Sequence, residues 1–139
     1  MKKVAFIGLL VLLFNSCEED KVIAPNEFSE VYRIYAEDMH IREDITGKQY
    51  YYLLDEPALT NYIFDKGIMQ AFLYYKMDGQ DTMSPLPFSD FVVENGYKRE
   101  EQLTVEFQPG YITFILKIDD HSVIKPASEY YDFRVRFLW

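Results

Sequence analysis

The chain is short of the residues that most often carry chemistry. Its 139 residues include one cysteine, Cys17, and two histidines, His40 and His121. A lone cysteine excludes an internal disulfide and leaves an exported chain with a thiol that needs some other fate. Serines are few and none stands in a nucleophile elbow, which removes the most common hydrolase signature. Basic residues are outnumbered, 14 against 23 acidic ones, for a formal charge of −9. Phosphate backbones demand a basic face, so nucleic acid is excluded as a partner. Long apolar runs are missing too. The longest, Val4 to Phe14, falls short of the roughly 20 residues a membrane-spanning helix requires. No internal repeat, low-complexity tract or second domain is visible.

What is present begins with that short run. Lys2 and Lys3 precede it, and Asn15-Ser16-Cys17 and then Glu18-Glu19-Asp20-Lys21 follow. A basic start, a brief apolar middle and a small residue before a cut site compose a secretory signal. Because it ends at the only cysteine, the segment resembles a bacterial lipoprotein signal, with Phe14 and Asn15 departing from the more usual Leu and Ala or Ser. The expectation is that residues 1–16 are removed and Cys17 becomes the lipidated first residue. Residues 17–27 then form a polar tether, and residues 28–139 are long enough for one domain with a genuine core. Losing Lys2 and Lys3 makes the mature chain more acidic still, which disfavours electrostatic docking on anionic lipid. The membrane partner is therefore reached through acyl chains on Cys17, two or more of which anchor firmly where one does not.

The mature chain reads as all-β. Tyr and Phe are abundant and helix formers such as Ala are scarce, a composition suited to pleated, half-buried surfaces. Leu103, Val105 and Phe107 alternate with Gln102, Thr104 and Glu106. After Gln108-Pro109-Gly110, Ile112, Phe114, Leu116 and Ile118 continue the alternation over Tyr111 to Asp119, so the two runs read as a hairpin. Tyr131, Phe133, Val135, Phe137 and Trp139 mark one face of a C-terminal strand. Ile68 to Met77 is a further strand ending at the turn Asp78-Gly79. Phe28 to Tyr35, Gln49 to Leu54 and Leu86 to Val93 complete about seven strands, the number expected of a β-sandwich. Pro57 ahead of Ala58 to Lys66, with Leu59, Tyr62 and Ile63 at helical spacing and Gly67 beyond, predicts one short helix. An outer-membrane barrel would need at least about eight strands of about ten residues each, and strands as short as Gln102 to Phe107 do not supply them.

Tyr50-Tyr51-Tyr52, Pro57, Leu59-Thr60, Asp65-Lys66-Gly67, the strand from Ile68, Pro85-Leu86-Pro87-Phe88 and Phe133-Arg134-Val135 occur in this order. Over residues 50–139 they resemble a group of Bacteroidetes surface lipoproteins with an Ig-like β-sandwich domain. Thr82 and Met83 stand where that group often has an aromatic residue. Glu18, Glu19 and Asp20, just after Cys17, resemble the acidic residues that surface-exported Bacteroidetes lipoproteins tend to carry there. The resemblance implies an outer-membrane location facing the cell exterior. It implies no catalytic motif and no cofactor.

Candidate sites are sparse. Glu37, Asp38, His40, Glu43 and Asp44, with Asp119, Asp120 and His121, contain metal-ligating types. Their spacing matches no zinc signature, and solvated loop charges explain them. Asp78-Gly79-Gln80-Asp81 lacks the ligand-bearing glutamate of a calcium loop and reads as a hairpin turn. A carboxylate-dependent hydrolase stays a remote alternative, since any acidic chain offers carboxylate pairs. The best opening is Tyr50, Tyr51 and Tyr52. In a strand one of the three must face away from the other two, and tyrosine rings are frequent platforms for sugars and protein hot spots. The expected role is non-catalytic recognition of a glycan or a cell-surface protein. The alternative is a structural or assembly subunit of a surface complex, fimbria-like or accessory to transport.

Overall fold

A computed structural model describes residues 25–45, 47–119 and 125–139. The strands are β1 (Glu27–Tyr35), β2 (His40–Asp44), β3 (Gly47–Asp55), β4 (Ile68–Met77), β5 (Gln80–Pro85), β6 (Phe88–Glu94), β7 (Tyr97–Gln108), β8 (Tyr111–Ile118) and β9 (Tyr130–Leu138). One α-helix, α1 (Asn61–Lys66), lies between β3 and β4. All neighbours pair antiparallel, in a four-stranded sheet of order β1-β9-β4-β5 and a five-stranded sheet of order β2-β3-β8-β7-β6. Together they form a β-sandwich over one core.

The alternations anticipated for β8 and β9 place the core. Ile112, Phe114, Leu116 and Ile118 from β8, and Tyr131, Phe133, Val135 and Phe137 from β9, are all buried. Each strand is central in its sheet, so its inward row is covered from both sides. Phe114 and Phe133 stack across the gap with centroids 4.6 Å apart, and Phe107 meets Phe137 edge-on at 6.2 Å. Offset and edge-to-face pairs of this kind add to the area they remove from water.

Nine strands stand where about seven were expected. The two unanticipated ones, β2 and β5, are short, polar and at sheet edges. A short, polar edge strand is held by one ladder of backbone bonds and need bury no apolar row, so periodicity is silent at these two. β7 also starts at Tyr97, ahead of the expected Gln102. The ladder of β1 reaches back through Asn26, whose backbone exchanges two hydrogen bonds with Trp139. Asn26 and Glu27 therefore belong to the sandwich and not to the tether.

Turn chemistry sets the hairpins. Asp78-Gly79 and Asn95-Gly96 both take positive φ at both positions, 53° and 79°, and 52° and 82°. That is the primed turn whose twist matches the flanking strands. Gly47, at the start of β3, answers a different need. Its φ is 142°, and a Cβ there would come within 2.1 Å of the Ile118 carbonyl oxygen, so only glycine lets β3 begin against β8.

The helix is shorter than expected. Pro57 lies outside it, in a turn closed by Leu59 N–H on the Glu56 carbonyl at 3.0 Å. Thr60 is the N-cap, its Oγ1 accepting from Ile63 N–H at 3.3 Å. Leu59 and Ile63 are buried and plug one end of the core, while Tyr62 points to solvent at 64 % exposure. A capping hydroxyl is worth about 1 kcal/mol. Thr60→Ala is therefore expected to lower stability by about that amount in urea unfolding, with the slope of the transition unchanged.

Candidate functional site

Strand alternation divides the three tyrosines. Tyr50 sits opposite Ile41 and Leu116 on the core face and is 2 % exposed. Burial, and then the nearby Glu101 carboxylate, push its phenol pKa upward. Tyr52 packs partly buried against the same core. Only Tyr51 faces outward, between His40 on β2 and Ile115 on β8, with its ring 5.5 Å from the His40 imidazole. Of the expected surface, Tyr51 alone lies on the outer face, and Tyr50 is corrected to a core residue.

Beside Tyr51, the register aligns Arg42, Gln49, Lys117, Gln102 and Ser89 straight across all five strands. Arg42 donates to the Gln49 amide oxygen. Glu100 and Asp119 close one end, where the Asp119 carboxylate accepts from Glu100 N–H at 3.0 Å. All of these but Ser89, together with Gly47, Lys48 and Ile118, line a shallow depression of about 290 Å³. Amide, ammonium and guanidinium groups standing in one row, with carboxylates at its end, offer donors and acceptors to a ligand rich in hydroxyls. The adjacent tyrosine offers a flat apolar ring. Under the row, Ile115 is only 4 % exposed, although it points away from the core. Tyr51 and Thr104, its direct neighbours across the ladders, flank it.

The most buried charges lie elsewhere. Arg99 and Glu101, both 6 % exposed, point inward from β7 in phase with Leu103. Glu101 Oε1 accepts from Arg99 Nε at 3.1 Å, from the same guanidinium's Nη2 at 2.9 Å and from Ala127 N–H at 3.1 Å. Its Oε2 accepts from the Tyr131 hydroxyl at 3.3 Å. Burial first, and then that carboxylate, raise the Tyr131 phenol above its ordinary pKa. Arg99 also donates to Glu94 at 2.6 Å. This network ties the start of β7 to the segment entering β9. Its Glu101, Ala127 and Tyr131 line a cleft of about 540 Å³, together with Tyr75 and Phe88. The second buried carboxylate, Glu56, works in the same manner. It accepts from the Tyr32 hydroxyl and, at 3.0 Å, from Ala58 N–H, holding the turn before α1. Each acid is engaged by donors from separate elements, so both act as ties between elements.

The acidic clusters disperse. Glu37 and Asp38 lie in a 3₁₀ turn, and His40 and Glu43 are on β2, a strand where a loop was expected. Asp78 is in its hairpin turn, and Asp81 pairs with Lys76 at 2.6 Å, which holds its carboxyl below the usual range. Among the described residues no three His, Cys, Asp or Glu side chains converge as a metal site. Cys17, Asp120 and His121 lie outside the described residues. Periodicity overlooked Arg99 and Glu101 because charges interrupt the apolar row. The signal was present all the same, as two opposite charges at core-facing positions just before Leu103. No family model, curated protein or solved structure matches this chain.

Proposed function

We propose that this protein is an outer-membrane lipoprotein, anchored through Cys17 and facing the cell exterior. Its sandwich binds a glycan across the outer face of the five-stranded sheet. Ig-like applies to it in the architectural sense alone, because the order β1-β9-β4-β5 departs from the A-B-E-D order of immunoglobulin domains. One observation carries the binding reading: an outward tyrosine stands beside a row of five polar side chains drawn from five different strands. A rigid sheet holds such a row without loop ordering, which lowers the entropy lost on binding. The non-catalytic reading is supported by the two buried carboxylates, Glu56 and Glu101, both already engaged by donors within the fold.

The test is a glycan array with the mature chain, followed by calorimetry on any hit. Tyr51→Ala is expected to weaken binding about tenfold or more, on the scale of one aromatic contact of about 0.5–1.5 kcal/mol beyond its buried area. Gln102→Ala is expected to cost about one hydrogen bond, roughly 1 kcal/mol. Tyr62→Ala, on the exposed side of α1, is expected to change nothing. An array without hits, or a hit indifferent to Tyr51→Ala, would remove this reading.

A further inference from the structure

The outer face of the four-stranded sheet carries a second candidate surface. On it, Val31 of β1, Arg134 of β9, Phe72 of β4 and Pro85 of β5 stand in one row across all four strands. Val31 is 39 % exposed, and Met83, in the next row, is 49 % exposed, while Ile68 stands apart beyond Gln70 and Arg136. Clusters of exposed apolar side chains on one rigid face mark interaction sites more often than scattered ones do.

Charge on this face is balanced except at its centre. Arg33 grips Asp132 with two bonds of 2.8 and 2.9 Å, Arg136 holds Glu27 at 2.8 Å, and Lys76 holds Asp81 at 2.6 Å. Arg134, amid Val31, Phe72 and Tyr74, makes no such ion pair among the described residues, and the Asp81 carboxylate whose field it shares is already held by Lys76. Its guanidinium lies 5.6 Å from the Tyr74 ring centroid, and its Nε is buried without an acceptor. A guanidinium carries five donors and never loses its charge at ordinary pH, so a shielded N–H with no acceptor is a standing deficit. In a chain this acidic, a central cation that no carboxylate hydrogen-bonds is open to an anion supplied from outside. The planar fork of arginine matches a carboxylate better than a point charge would.

We infer that this face docks a protein partner that presents an aspartate or glutamate carboxylate among apolar side chains, the carboxylate seating on Arg134 and the apolar groups covering Val31, Phe72 and Met83. The inference is independent of the glycan reading, since the two surfaces lie on opposite sheets and each can fail alone.

The probe is a blocked heptapeptide of alternating Val, Leu and Thr with a central Glu, compared with the same peptide carrying Gln. Binding to the mature chain is followed by amide chemical shifts. The Glu peptide is expected to bind at least tenfold more tightly than the Gln peptide, with shifts confined to β1, β9, β4 and β5. Arg134→Gln should erase that preference while leaving the unfolding midpoint unchanged or raised, because the orphaned donor goes with it. Val31→Glu, which supplies a carboxylate directly opposite Arg134 within the chain, should fold normally and block the peptide. Equal affinity for the two peptides would overturn the inference. So would shifts on the five-stranded sheet, a large loss of stability in Arg134→Gln, or self-association of the free chain through this face.

Discussion

Phe133→Ala is expected to destabilise the protein by about 4 kcal/mol, within the range of about 3–5 measured when a buried phenylalanine is truncated. Phe133 is fully buried on β9 and stacks on Phe114 of the opposite sheet at 4.6 Å. It is flanked in register by Tyr32 of β1 and Leu73 of β4. Truncation therefore opens a cavity at the junction of three strands and one facing ring, all fixed in their own ladders. Sheets tied by backbone bonds cannot slide inward to fill such a space, which places the expected loss well above the transfer term alone. The midpoint of thermal unfolding should fall by roughly 15 °C for a domain of this size. Guanidinium unfolding of the variant beside the parent measures it directly. A loss below about 1 kcal/mol, the ordinary average for any substitution, would mean that Phe133 does not sit at the centre of the core.

The second large effect comes from charge. Glu101→Leu removes the acceptor of two Arg99 donors, of Ala127 N–H and of the Tyr131 hydroxyl in one step. Arg99 keeps Glu94, but that carboxylate is largely solvent-exposed. Leaving one member of a buried pair uncompensated costs about 3–5 kcal/mol, whereas replacing both by apolar groups is often neutral. Arg99→Leu alone should accordingly be as damaging as Glu101→Leu alone. The double variant should recover at least half of the loss, giving a coupling energy of about 2 kcal/mol or more in a double-mutant cycle. Losses that simply add would show that the two side chains act independently and that the network does not hold β7 to the segment before β9.

The two predictions also separate what could be read early from what could not. Phe133 was legible because β9 alternates without interruption from Tyr131 to Trp139, and a central strand buries the whole of one row. The hairpin of β7 and β8 and the strand β4 were legible for the same reason, helped by Pro109-Gly110 and Asp78-Gly79. β2 and β5 were not, since each is a short, polar edge strand held by one ladder, whereas the edge strands β1 and β6 carry enough apolar residues to show. The helix was visible, but its start was not. Pro57 suggested one boundary, whereas the Thr60 hydroxyl on Ile63 N–H sets another.

Composition and period-2 patterning alone determined that the mature chain is a β protein and which rows fill its core, because hydrophobic burial acts on each strand locally. They also determined that Tyr51 faces opposite to Tyr50 and Tyr52. Which side met the core, and beside what, was decided by tertiary register: the pairing of β3 with β8 turned Tyr50 inward and stood Tyr51 beside a polar row drawn from five strands. The same holds for Arg134, an unremarkable basic residue in an alternating strand. Only the assembled sheet shows three other cations in direct ion pairs with carboxylates from adjacent strands, and this one, among the described residues, in none. Pairings between residues distant in the chain depend on which strands become neighbours, and no local pattern encodes that.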